Sequence, residues 1–113
     1  MKLIVAIVQP FKAQEIADVL GREPGFPGMT VLDARGFGRD RPPADAREAQ
    51  GLDTLHPHRV VLVGAPDHVA ERIADRIRQV AHTGLKGDGK VFILEMQAVL
   101  AIGSDDRDDG ALE

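Results

Sequence analysis

Residues Arg59 to Leu94, RVVLVGAPDHVAERIADRIRQVAHTGLKGDGKVFIL, contain one complete strand–helix–strand passage. Arg59–Ala65 is almost all Val, Leu and small residues, the composition of a strand. Pro66-Asp67 then opens a helix, because Asp67 can cap free backbone N–H groups and Glu71 lies near the positive end of the helix dipole. Val69, Ile73, Ile77 and Val80 recur at helical spacing and predict one apolar stripe. A glycine-rich turn from Gly84 to Gly89 reverses the chain, and the stretch from Val91 to about Ile102 reads as the final strand.

Working outward, Leu3–Val8 is an Ile/Val-rich strand, and Ile16, Val19 and Leu20 place a helix over Phe11–Leu20. Gly21–Gly28 is a connection, Met29–Ala34 a second strand, and Gly36-Phe37-Gly38-Arg39 its exit. Asp40 to His58 is polar, carries three prolines and has no sustained period. Ordinary connections have a median of about 4–6 residues, so this long excursion reads as a functional arm, mobile unless bound. The order βαββαβ predicts an α+β, ferredoxin-like domain over residues 1–113, with two helices on one face of a four-stranded antiparallel sheet. The other face stays apolar, and a homotrimer packing its sheets inward would cover it.

Composition removes several classes of function. A formal charge of -4 and a pI near 5.5 argue against nucleic acid as a partner, which demands a basic stripe. With no cysteine there are no disulfides and no thiolate sites, which agrees with a cytoplasmic location. The apolar run at the start stops at Gln9-Pro10, too short for a spanning helix and without the end of a secretory leader. Membrane association is therefore expected only through a partner.

The chemistry concentrates in Thr83-Gly84-Leu85-Lys86-Gly87-Asp88-Gly89-Lys90. Glycines let backbone N–H groups turn toward an anion, and a lysine at the exit adds a point charge. This is a phosphate cradle, although Lys90 leads into a strand where a P-loop lysine leads into a helix. Gly36-Phe37-Gly38-Arg39 repeats the theme, two glycines and a cation, at the end of another strand. Taken alone, either segment could be a plain turn.

Together, Thr83–Phe92, the opening Ala6-Ile7-Val8-Gln9-Pro10-Phe11-Lys12, Gly28-Met29-Thr30-Val31 and Gly36–Arg39 resemble the nitrogen regulatory PII family of signal proteins over nearly the whole chain. The resemblance implies a non-enzymatic homotrimer that binds adenine nucleotide in inter-subunit clefts and regulates a partner transporter or enzyme. The regulating arm is the family's T-loop, here about residues 40–58; its B-loop is residues 83–90, and residues 103–113 form an acidic tail. Carried over by residue, Ile7, Gly36, Phe37, Gly38 and Arg39 would line the cleft. Thr83 belongs to the B-loop, Gly87, Asp88, Gly89 and Lys90 would hold the phosphates, and Gly28, Met29 and Thr30 would approach base and ribose.

The departures fall on ligand positions. Asp40 stands where family members carry a glutamine for magnesium and 2-oxoglutarate, His58 replaces a lysine, and Leu62 a glutamate. Ala101 and Gly103 replace two phosphate-binding arginines. Each charge-assisted contact is worth about 1.5–3 kcal/mol, so ADP or AMP is expected to bind at least as well as ATP, or all three weakly. Asp40 could still hold magnesium. The absence of tyrosine excludes tyrosine uridylylation. An alternative is a trimeric metal- or bicarbonate-binding module that has lost strong nucleotide binding, with His56 and His58 as a half-site. His68 and His82 read as helix-surface residues, and the aspartates of residues 105–109 as a solvated tail. No serine–histidine–acid set stands out.

Overall fold

A computed structural model describes residues 1–38 and 55–113. Strands β1 (Lys2–Val8), β2 (Thr30–Gly36), β3 (His56–Ala65) and β4 (Lys90–Glu95) form one sheet in the order β2-β3-β1-β4, every pair antiparallel. Helix α1 (Ala13–Leu20) follows a 3-10 turn at Pro10–Lys12, α2 (Asp67–Ala81) joins β3 to β4, and a short α3 (Asp109–Leu112) closes the chain. This is the ferredoxin-like plan that the order of elements predicted.

Successive side chains of a strand point to opposite faces, and this alternation builds the core. Ile4, Ala6 and Val8 of β1 and Val61, Val63 and Ala65 of β3 are buried beneath the helices. Ile16 and Leu20 of α1 and Val69, Ala70, Ile73, Ala74, Ile77 and Ala81 of α2 complete the cluster. Burying each large aliphatic side chain contributes about 1.5–3 kcal/mol. The small Ala70 and Ala74 widen the predicted stripe, while Val80 is only half-buried.

The opposite face is open. Pairing sets Leu32, Val60 and Ile7 in one row, Thr30, Leu62, Val5 and Phe92 in the next, and Gly64, Leu3 and Leu94 in a third. Leu32, Phe92 and Leu94 keep 48%, 45% and 47% of their surface exposed.

Three boundaries differ from the pattern. β3 begins at His56 although Pro57 argued for a loop there. β1 ends at Val8 opposite Arg59, so at Pro57 the strand has a neighbour on the β2 side only; a missing N–H is tolerated beside an open edge. β4 stops at Glu95 although apolar residues continue to Ile102. Its pairing partner β1 starts at Lys2, opposite Glu95, and after the Met96 N–H bond to the Met1 carbonyl (3.0 Å) no strand remains to pair with. Asp67 does not cap α2. Its carboxylate accepts from the Met1 ammonium at 2.7 Å and from Lys2 Nζ at 3.1 Å, and these bonds, led by the one from the ammonium, hold its pKa below the ordinary value.

The acidic tail is only partly solvated. Asp108 donates its N–H to the Val99 carbonyl (2.8 Å), while its Oδ1 accepts the Val99 N–H (3.1 Å). This closes a small loop from which α3 turns back onto β3, where Leu112 sits 3.3 Å from the position a side chain would take at Gly64. Asp105, Asp106 and Asp109 remain exposed.

Candidate functional site

The turn from Thr83 to Lys90 is held from three directions. Thr83 donates its N–H to Asp88 Oδ2 at 2.9 Å and its hydroxyl to Asp88 Oδ1, while Leu85 N–H donates to Thr83 Oγ1 at 3.1 Å. Gln9, just past β1, donates its side-chain amide to the Gly87 carbonyl. Gly89 lies against the end of β1 so closely that a Cβ there would stand 1.7 Å from the Ile7 carbonyl oxygen. Its φ of +99° is also one that L side chains rarely adopt. Gly89 of the predicted cradle is thus required by contacts within the chain.

The clamp has an electrostatic signature. The Thr83 hydroxyl, and after it the Thr83 N–H, hold the Asp88 carboxyl below the ordinary carboxylate value. His82 adds a third neighbour, with Nδ1 at 3.2 Å from Asp88 Oδ2.

Beside this turn opens a cleft of about 620 Å³, within the range of small-molecule sites. Ile7, Asp88, Gly89 and Lys90 line it, as the sequence reading proposed for a ligand, together with Arg78, Gln79 and His82. These last three were not anticipated. His82 looked like a helix-surface residue, but α2 ends at Ala81 and the extended backbone of His82 (φ -68°, ψ 126°) carries it to the cleft. The available signal was its position next to Thr83, with Arg78 four residues earlier on the same helical face.

The remaining predicted residues lie elsewhere. Gly36 ends β2, with Phe37 and Gly38 beyond it, at the same end of the sheet as Lys90 but on the far edge. Three strand spacings, about 14 Å, separate the two edges. Among the described residues beyond the immediate chain neighbours, none comes within 4 Å of a Cβ built at Gly36 or Gly38. Gly28 precedes β2 on that far edge, the Met29 side chain packs against the helix-side core, and Thr30 pairs with Leu62. Arg39, Asp40 and the T-loop segment to residue 54 lie outside the described residues. His58 Nδ1 is tied to the His56 carbonyl at 3.0 Å. Among the described residues no three His, Asp or Glu side chains are grouped to hold a metal, and no helix is long and apolar enough to cross a membrane.

The sequence model described as "Nitrogen regulatory protein P-II" matches residues 1–106. The chain belongs to the nitrogen regulatory protein P-II family. It is 34% identical over 113 residues to nitrogen regulatory protein P-II 1 of Escherichia coli K12, covering 99% of this chain and 100% of that protein. The P-II protein of Azospirillum brasilense is 36% identical, and GlnK of Escherichia coli K12 is 34% identical, each with the same coverage. P-II proteins are signalling regulators that act on partner proteins, so this chain is a regulator and not an enzyme.

Proposed function

We propose that this P-II member is a homotrimeric sensor that binds adenine nucleotide between subunits and regulates a transporter or enzyme through residues 40–58. ADP or AMP binds at least as tightly as ATP. The observation that carries this reading is the division of the glycine segments between the two edges of one sheet. Ile7 and Asp88–Lys90 line a cleft at the β4 edge, and Gly36–Gly38 lie at the β2 edge, about 14 Å across the sheet and four residues further along it, with no described residue within 4 Å of a Cβ at either glycine. A site that uses both needs a second copy of the chain to bring the far edge of one sheet to the near edge of the next. The open face supports such an assembly, since Leu32, Phe92 and Leu94 leave apolar surface of the kind that marks an interface.

In that cleft, Lys90 supplies the point charge for the phosphates, the Gly87–Gly89 backbone allows close approach, and the Asp88–Thr83 clamp holds the turn in shape. Arg39 would add a second cation. Ala101 and Gly103 supply no charge to a third phosphate, which is why ATP gains little over ADP. 2-Oxoglutarate is expected to have little effect, because Asp40 would oppose a dicarboxylate and His58 offers no permanent charge. No three-ligand metal group is formed among the described residues, and the reading as a metal- or bicarbonate-binding module is not favoured.

Calorimetric titration of ADP, AMP and ATP into the wild type and Lys90→Ala tests the site. The substitution should weaken ADP binding about tenfold or more, the loss of one charge-assisted contact. Absence of binding by all three, or ATP binding far tighter than ADP, would overturn the reading. Sedimentation equilibrium should give a trimer; a monomer at micromolar concentration would remove the inter-subunit site.

A further inference from the structure

The cleft has a second polar wall, built by the end of α2. His82 Nδ1 lies 3.2 Å from Asp88 Oδ2, Arg78 stands one turn earlier, and all three line the same cavity as Lys90. We infer that His82 makes anion capture in this cleft pH-dependent, strengthening it as the imidazole takes up a proton. This rests on the reading of the cleft as a phosphate site and adds a regulatory element to it.

The argument is one of donors and acceptors. Asp88 is engaged by two donors of Thr83, the N–H at 2.9 Å and the hydroxyl. A neutral imidazole with Nδ1 beside a carboxylate places its single N–H there, which leaves Nε2 as a lone-pair acceptor. An acceptor on the wall of the cleft repels phosphate oxygens. Protonation gives Nε2 a hydrogen to donate and adds a positive charge that offsets Asp88 at the mouth. The charged groups that line the cleft with His82 are Arg78 from α2, Asp88 from the turn and Lys90 from β4, with Gln79 as a neutral neighbour and Ile7 as part of the apolar wall. Of these side-chain types, imidazole is the one whose charge changes between pH 5 and 8. The His82 side chain is 73% exposed, so solvent screens the added charge and the effect is modest.

The test is ADP binding by calorimetry at pH 5.5, 6.5, 7.5 and 8.5, with wild type, His82→Gln and His82→Lys as homotrimers. Phosphate itself titrates near pH 6, so the comparison is between proteins at each pH. The wild type should gain about threefold to fivefold over His82→Gln between pH 8.5 and 5.5, the scale of a solvent-exposed ion contact. His82→Lys should bind about threefold to fivefold more tightly than the wild type at pH 8.5 and about equally at pH 5.5, with the His82-dependent slope removed. Equal pH profiles for wild type and His82→Gln overturn this inference and leave the nucleotide site intact. No ADP binding by any of the three proteins at any pH overturns the nucleotide site and this inference with it.

Discussion

One glycine segment opens β4 and another closes β2 at the same end of this sheet, yet the chain treats them differently. At Gly89, a Cβ would collide with the Ile7 carbonyl oxygen at 1.7 Å. At Gly36 and Gly38, a Cβ would meet no described residue within 4 Å. The first glycine is required by the fold of one subunit. The second pair has no such requirement within the described residues.

This contrast is open to direct attack by substitution. Gly89→Ala should have the largest effect. The strain of a left-handed φ costs about 1–3 kcal/mol, and displacing the turn from β1 adds to it. A drop of at least about 2 kcal/mol in urea unfolding, together with loss of ADP binding, is the expected result. A variant as stable as the wild type would remove the distinction between the two segments.

Gly36→Ala should leave stability within about 0.5 kcal/mol of the wild type, as for a substitution that touches no packed feature. ADP binding should nevertheless weaken about tenfold, equivalent to about 1.4 kcal/mol. If unfolding and binding were both unchanged, the open space at Gly36 would have no ligand to exclude.

The smallest effect concerns the clamp within the turn. Thr83 holds the Asp88 carboxyl below its ordinary value of 3.8. The stabilisation from this pair is therefore complete above pH 3.8 and is lost as the pH falls through the lowered value. Thr83→Val should be less stable than the wild type by a constant amount from pH 8 to about 4, and the gap should narrow at pH 3. Urea unfolding at pH 7, 5 and 3 measures it, and a gap that stays constant at pH 3 would show that the ionised carboxylate is not what Thr83 supports.

Much of this was readable along the chain. Ile4, Val8, Val61, Val63, Ile73 and Ile77 carry periods of two and of three to four residues, and a period is a local property that burial converts directly into a face. The cradle at Gly87–Lys90 was readable for a related reason, since few residue types besides glycine permit such a turn. Where strand pairing decides, the local pattern misled. Residues 96–102 have the composition of a strand, but beyond Met1 they meet only the short 106–108 segment and no strand of the sheet, and Pro57 sits in a strand because β1 has already ended. Asp67 has the makings of a helix cap, yet the Met1 ammonium and Lys2, 66 and 65 residues away, claim its carboxylate.

The sequence by itself therefore determined the elements, their order, the buried faces and the P-II family, because each depends on residues close together in the chain or on a motif they form. Only the tertiary structure decided that Arg78 and His82 share a cleft with Lys90, and that Gly36 and Gly89 belong to opposite edges. Those relations depend on where α2 ends and on which strands lie between, and both are set by packing across the whole sheet.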